Sequence, residues 1–208
     1  MQHNENGRSM IEMLGVLAIV GVLSVGGIAG YSKAMQKYKV NQLIAQLSET
    51  VIGIRSLYAS STSYSGINLP LLFKTGAISH TLQKSTASTS AAVHAMNGDL
   101  FIFPSPTNAL ANGAFELYVT NIPPTACLAL ATMDWGQDIA SGFIGFYIGA
   151  GYVDTPQMTS IFSKEDSHPE SGIYTAGFHE NSIPLPISTA TQACLCDGQN
   201  CTIGFKYQ

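Results

Sequence analysis

Residues 4–33 read NENGRSMIEMLGVLAIVGVLSVGGIAGYSK. From Met10 to Ala29 there are twenty residues, and Glu12 is the only charged one. At ~1.5 Å of rise each, about 20 helical residues cross the ~30 Å hydrocarbon layer of a bilayer. The stretch is built mainly of Val, Leu, Ile, Ala, Gly and Met and holds no proline. It therefore predicts a membrane-spanning helix. A cleaved secretory signal is the competing reading. Such a signal has a shorter apolar core, a basic region before it and a small-x-small site after it. Nothing basic precedes Arg8. The apolar run also flows without a break into a further helical pattern, which argues against removal.

That pattern continues at Val40, Leu43, Ile44, Leu47, Val51, Ile54 and Tyr58. Steps of three and four residues draw one apolar stripe along a helix. Gln42, Gln46, Ser48, Glu49 and Arg55 fill the other positions. No proline interrupts residues 8–69. The expectation is one helix over residues 8–58, apolar all round over 10–29 and amphipathic afterwards. Some fifty residues of helix would be ~75 Å long. The first part belongs in lipid or among other helices, and the striped part must lie on something.

Glu12 carries a physical cost in this setting. A charged carboxylate deep in a bilayer costs ~2.5–3.5 kcal/mol on insertion scales and normally has a partner or a purpose. Either it sits close enough to the interface to reach water, or a positive group from another copy of the chain pairs with it. Charge elsewhere is sparse. Only 11% of residues are charged, under half the ~25% usual in soluble domains, which fits a protein packed among copies of itself or exported. Over residues 8–39 four basic residues face one acidic residue, a net of +3. From residue 40 on, five basic residues face eleven acidic ones, a net of −6. An acidic body argues against nonspecific phosphate binding, which rests on Lys and Arg, so no nucleic-acid partner is expected.

Four cysteines, Cys127, Cys194, Cys196 and Cys201, allow three pairings. Cys194-x-Cys196 is too tight for the usual zinc pair and no histidine lies near it. Disulfides are the expected state if the segment is exported. No cofactor and no metal are expected.

Gly7-Arg8-Ser9-Met10-Ile11-Glu12, followed by this helix, resembles the start of a type IV prepilin. In that family a short leader ends in glycine, a membrane-embedded peptidase cuts after it and methylates the new amine, and a glutamate stands at the fifth mature position. Gly7 and Glu12 hold that spacing. Arg8 departs from the usual Phe or Met, and no lysine precedes Gly7. NIPPTACLALATMDWG (residues 121–136) with TQACLCDGQNCTIGFKYQ (191–208) is similar, in cysteine placement, to the type IVb, PilS-like major pilins.

The resemblance implies a leader at residues 1–7, cleavage between Gly7 and Arg8, and N-methylation of Arg8. It implies a helix at 8–58 and a globular body at 59–208. It further implies an assembly salt bridge from the mature amine of one subunit to Glu12 of the next. The partners so implied are other copies in a helical filament, a prepilin peptidase, an inner-membrane assembly platform, and the membrane before assembly. The localisation is then an inner-membrane prepilin with a cytoplasmic N-terminus and periplasmic body, and later an extracellular pilus. Lys33, Lys37 and Lys39 would sit in the cytoplasm by the positive-inside rule. The family orientation is opposite, and the cysteines and long downstream body fit export.

Gly15, Gly21, Gly26, Gly27 and Gly30 admit two readings. Small residues let helices approach closely. The alternative, carried over from the resembling pilins, is local melting around Gly21, Gly26, Gly27 and Gly30 when subunits leave lipid.

Beyond the helix, residues 56–70 are rich in the turn formers Ser, Gly and Pro, and Ser85–Ala92 reads as a low-complexity loop. Leu100–Phe103 is a short apolar strand candidate. Phe115–Thr120 alternates apolar and polar residues, which predicts one buried face. Pro123-Pro124 opens a helix expected to reach about Asp134. Phe143–Ile148 and Ile173–Phe178 are further strand candidates. Cys194–Cys196 and Cys201–Phe205 flank Asp197-Gly198-Gln199-Asn200 as a hairpin would. That register favours Cys196–Cys201 and Cys127–Cys194 bridges, with Cys127–Cys196 as the competitor. A helix on one face of an antiparallel sheet is an α+β fold.

No Gly-x-Ser-x-Gly, His-Glu-x-x-His or phosphate-binding loop is present. Lys164–His168 and His179-Glu180 read as solvated loops, and Asp134 with Asp138 as helix-end and loop residues. Catalysis is not expected. The function reading is a structural subunit that polymerises through its N-terminal helix, in a pilus serving adhesion, conjugation or secretion. A pseudopilin or minor pilin of a secretion system is the alternative, and a membrane-anchored periplasmic enzyme or binding protein the remote one.

Overall fold

The computed structural model describes residues 10–84, 91–136, 141–152, 154–161, 172–175 and 183–208. Helix α1 spans Met10–Leu57. The chain divides into two compact units, one ending at Lys39 and one spanning Val40–Gln208. In the first unit, every described side chain from Met10 to Ala34 is exposed.

In the second unit, α1 buries Leu43, Leu47, Val51 and Ile54, flanked by Val40, Ile44 and Tyr58. This is the stripe that the 3.6-residue period draws. Gln46 departs from the expected polar side: only 1% of it is exposed. Its amide donates to the Thr81 carbonyl and hydroxyl, and its Oε1 accepts from the Ala95 N–H. The buried Thr50 hydroxyl donates to the Gln46 carbonyl and accepts from the Ser79 N–H. Burial of these polar groups is tolerated because each is hydrogen-bonded. Gly53 lies where a Cβ would come within 2.3 Å of the Ala77 carbonyl oxygen, so only glycine lets α1 approach that backbone.

Helix α2, Leu69–Thr75, occupies part of the region read as turn. Asn68 caps it by accepting from the Leu71 N–H, a proline sits in its first turn, and Gly76 ends it in the left-handed conformation. Strands follow: β1 (Gln83–Lys84), β2 (Ala92–Val93), β3 (Asp99–Ser105) and β4 (Ala114–Ile122). Ala92, expected in a loop, pairs with Leu100. Helix α3 is Pro124–Ala131, shorter than the expected run to Asp134. The chain then turns back, and Trp135 Nε1 donates to the Leu130 carbonyl. Strands β5 (Phe143–Ala150) and β6 (Ile173–Thr175), helix α4 (Ile187–Ala193) and strand β7 (Cys201–Tyr207) complete the order. The expected continuation of β6 to Phe178 lies outside the described residues.

The seven strands form one sheet in the order β1-β2-β3-β4-β7-β5-β6, with every neighbouring pair antiparallel. The expected C-terminal hairpin is not formed. Residues 194–195 continue α4 as a turn, and Cys196–Gly198 is a short 3₁₀ turn. A strand has two edges, and β7 gives both to β4 and β5, so no strand at 194–196 can pair with it. The left-handed backbone of Cys196 and Asp197, φ 49° and 51°, also breaks any extended run there.

Two apolar clusters flank the sheet. The larger joins the α1 stripe, α2, α3 and α4 to Phe115, Leu117, Val119, Ile203 and Phe205. The smaller joins Phe101, Tyr118 and Ile144 to Met158 and Ile161. The alternation in β4 therefore does not mark a solvent face. Glu116 and Tyr118 are fully buried. Glu116 stands opposite Lys206 in the β4–β7 register, and Lys206 Nζ lies 3.8 Å from Glu116 Oε1 with both side chains fully buried. The carboxylate also accepts from the Ser105 and Tyr118 hydroxyls and from the Met158 N–H. Lys206 donates to the carbonyls of Met158 and Ile161, and the Gln157 N–H donates to the Tyr118 hydroxyl. Burial, and then the Glu116 charge, push the Tyr118 phenol well above its ordinary range, so it stays a donor. The Tyr118 ring fills the space over Gly204, where a Cβ would lie 2.2 Å from it. Cutting one partner from a buried pair leaves an uncompensated charge, which costs about 3–5 kcal/mol. Lys206→Met is expected to lower stability by that order in denaturant unfolding of the detergent-solubilised chain. Adding Glu116→Gln should recover part of the loss, and a Lys206→Met protein as stable as wild type would refute this role.

His94 is buried beside Gly98. Its Nε2 lies 2.8 Å from the Thr120 carbonyl, and Nδ1 accepts from the Met96 N–H. A carbonyl can only accept, so the ring is the neutral tautomer with the proton on Nε2. A second proton would point at the Met96 N–H. Burial lowers the His94 pKa from 6.5 to about 4, against a smaller opposing effect of the Thr120 carbonyl. A depressed histidine pKa means that the unfolded chain binds the extra proton first. The stability from His94 is therefore complete above pH 6.5 and falls as pH drops toward 4, by about 3 kcal/mol. Unfolding midpoints of wild type and His94→Gln between pH 7.5 and 4 are expected to converge as pH falls. Parallel curves would rule this out.

Candidate functional site: helix surface and cysteine cluster

Among the described residues, Met10–Ala29 presents an exposed apolar surface. Met10, Val22, Val25 and Ile28 are 82%, 75%, 71% and 68% exposed. The helix is long and apolar enough to cross a membrane. Propensity alone does not explain its continuity, because five glycines each weaken a helix by ~0.8–1.0 kcal/mol relative to Ala. A Cβ at Gly15, Gly21, Gly26, Gly27 or Gly30 would meet nothing within 4 Å. Among the described residues nothing requires glycine at these positions.

Glu12 is in the first turn of α1 and is exposed. A carboxylate there interacts favourably with the positive end of the helix dipole. Among the described residues, none forms an ion pair with it. Gly7 and Arg8 lie outside the described residues.

The four cysteines form two adjacent bridges. Cys127 on α3 joins Cys194 at the end of α4, with Cα atoms 5.7 Å apart. Cys196 in the 3₁₀ turn joins Cys201 at the start of β7, at 5.4 Å. The first closes a separation of 67 residues, for which chain entropy gives a stabilisation of about 4 kcal/mol. The Sγ atoms of Cys127, Cys196 and Cys201 lie within 4.8 Å of one another. Their engagement in bridges leaves no thiolate to hold a metal.

Lys164–His168 and His179-Glu180 lie outside the described residues, as does Asp138. Asp134 accepts from the Gly136 N–H, a turn role. A polar recess of about 380 Å³ is lined by Asn97, Asp99, Asn121, Tyr152 and Asn200. Sequence reasoning missed the Gln46, His94 and Glu116–Lys206 networks. The only signal for the last was a charged residue within each of two β-patterned runs.

A family profile described as Bundlin matches residues 32–172. Two curated relatives, each named as the major structural subunit of bundle-forming pilus, come from Escherichia coli O111:H- and Escherichia coli O127:H6 (strain E2348/69 / EPEC). Each is 29% identical over 173 residues, covering 82% of this chain and 83% of the relative. Among solved structures, TcpA, a type IV pilin from Vibrio cholerae El Tor biotype, aligns with a TM-score of 0.55 at 18% identity. The alignment covers 82% of this chain and 99% of TcpA, a likeness of fold. The long N-terminal helix, the antiparallel sheet and the match over residues 32–172 agree: the chain belongs to the Bundlin family and has the fold of a type IV pilin.

Proposed function

We propose that this chain is the structural subunit of a type IV pilus and polymerises through α1. The observation that carries this reading is the uncovered apolar surface of Met10–Ala29. Exposing large side chains to water forfeits about 25 cal/mol per Å² of apolar area, so this surface needs lipid or other helices. Before assembly the cover is the inner membrane, with the body on the periplasmic side. In the filament it is the same helix of other copies, outside the cell. The similarity to major subunits of a bundle-forming pilus supports the assembled form.

In this reading residues 1–7 are a leader that a prepilin peptidase removes between Gly7 and Arg8, methylating the Arg8 amine. The inner-membrane assembly platform then receives the mature subunit. An α-amine with a reference pKa of ~7.7–8.0 is largely cationic near neutral pH. It pairs with Glu12 of a neighbour and offsets the cost of bringing that carboxylate into an apolar core. The glycines at 21, 26, 27 and 30, where an added Cβ would meet no described atom, serve close packing or local unwinding among neighbours.

Glu12→Ala is expected to be made and cut at wild-type levels, with N-terminal sequencing starting at Arg8, but to give no filaments in sheared surface fractions under the electron microscope. Abundant filaments from this variant would remove the Glu12 pairing. A wild-type mature chain starting at Met1 would remove the cleavage step.

A further inference from the structure

The two disulfides of the body are packed side by side. Cys196 is the most accessible of the four cysteines, 6% exposed against 0% for Cys127 and Cys201 and 2% for Cys194. It lines a cavity of about 290 Å³ together with Gln192, Leu195 and Asp197. Leu195 beside it is 63% exposed. The backbone of Cys196 has φ 49°, a left-handed conformation that is costly for a side chain bearing a Cβ. On the inner side, Cys201 Sγ lies 3.6 Å from the Cys194 carbonyl oxygen and within 4.8 Å of Cys127 Sγ.

We propose that these cysteines form a thiol–disulfide exchange site, in which a dithiol reductant acting at Cys196 moves the long-range crosslink from Cys127–Cys194 to Cys127–Cys201. Exchange proceeds by attack of a thiolate on a disulfide sulfur. A thiolate of the dithiol enters through the cavity and attacks Cys196 Sγ. The Cys196–Cys201 bond breaks, a mixed disulfide forms on Cys196, and Cys201 leaves as the thiolate. Cys201 then attacks Cys127 Sγ, the Cys127–Cys194 bond breaks, and Cys194 leaves as a thiolate that takes a proton. The second thiol of the dithiol attacks its own sulfur in the mixed disulfide and releases Cys196, which also takes a proton. One dithiol is oxidised to a disulfide, and one protein disulfide is reduced to two thiols. The product holds Cys127–Cys201 with free Cys194 and Cys196. The body keeps α3 tied to β7 while α4 and the 3₁₀ turn lose both tethers, and Cys196 is freed from its left-handed constraint. In the reverse direction, a dithiol catalyst in its disulfide form converts a Cys127–Cys201 bond into the bridged pair of the folded body.

The test uses the full chain in detergent and does not depend on filament formation. It is titrated with dithiothreitol, quenched in acid, alkylated with N-ethylmaleimide and peptide-mapped without reduction. The expected dominant two-label species carries its labels on Cys194 and Cys196 and retains a Cys127–Cys201 link. A dominant species labelled at Cys196 and Cys201 with Cys127–Cys194 intact overturns the proposal. Cys194→Ser provides an independent arm. It is expected to show Cys127 linked to Cys201 with Cys196 labelled, whereas a labelled Cys127 beside an intact Cys196–Cys201 link overturns it.

Discussion

An apolar helix surface twenty residues long, carrying one carboxylate and covered by no other described residue, is the constraint on which the proposed assembly rests. Such a surface is stable only in a solvent of hydrocarbon or of like helices, and the two are interchangeable because neither hydrates it. In the proposed assembly Glu12 would make the exchange selective. A carboxylate is tolerated at the rim of a bilayer, but inside a bundle of helices it calls for a cation. A Cβ added at the glycines of this surface would meet no described atom, so in the proposed reading their role belongs to the assembled state.

The body meets a different demand. In the proposed reading it must stay folded while its helix changes surroundings, in a chain poor in charge. The sheet answers with two buried faces. One takes the α1 stripe with α2, α3 and α4, and the other is closed by the segment around Met158 and Ile161. The central position of β7 makes the end of the chain the keystone of the sheet. The Glu116–Lys206 pair spans β4 and β7 and also binds the covering segment through backbone groups. A buried ion pair contributes little net stability but strongly penalises arrangements that separate its members. Its consequence here is a fixed β4–β7 register.

The cysteines reinforce that keystone from the opposite face. Cys127–Cys194 joins the two short helices that flank the larger core, and Cys196–Cys201 fastens the turn that leads into β7.

The amino-acid sequence by itself determined the elements whose physics is local. A twenty-residue stretch with one charge set a membrane-length helix, and the three-and-four spacing of Val40 to Tyr58 set the buried stripe. The alternation in Phe115–Thr120 set a strand, and Pro124 set the start of α3. Helix α2 was legible too, since Asn68, Pro70 and Gly76 are its cap, first-turn and stop residues, but its short length hid it among turn formers. Only the tertiary structure decided what long-range partners decide. Polar positions of β4 became interior because residues 154–161 lie over them, and Gln46 became interior because Thr81 and Ala95 satisfy its amide. The run before Cys201 became a helix and 3₁₀ turn, not a hairpin strand, because β4 and β5 already occupy both edges of β7. Periodicity records which side chains share a face, whereas burial depends on what another part of the chain brings to that face.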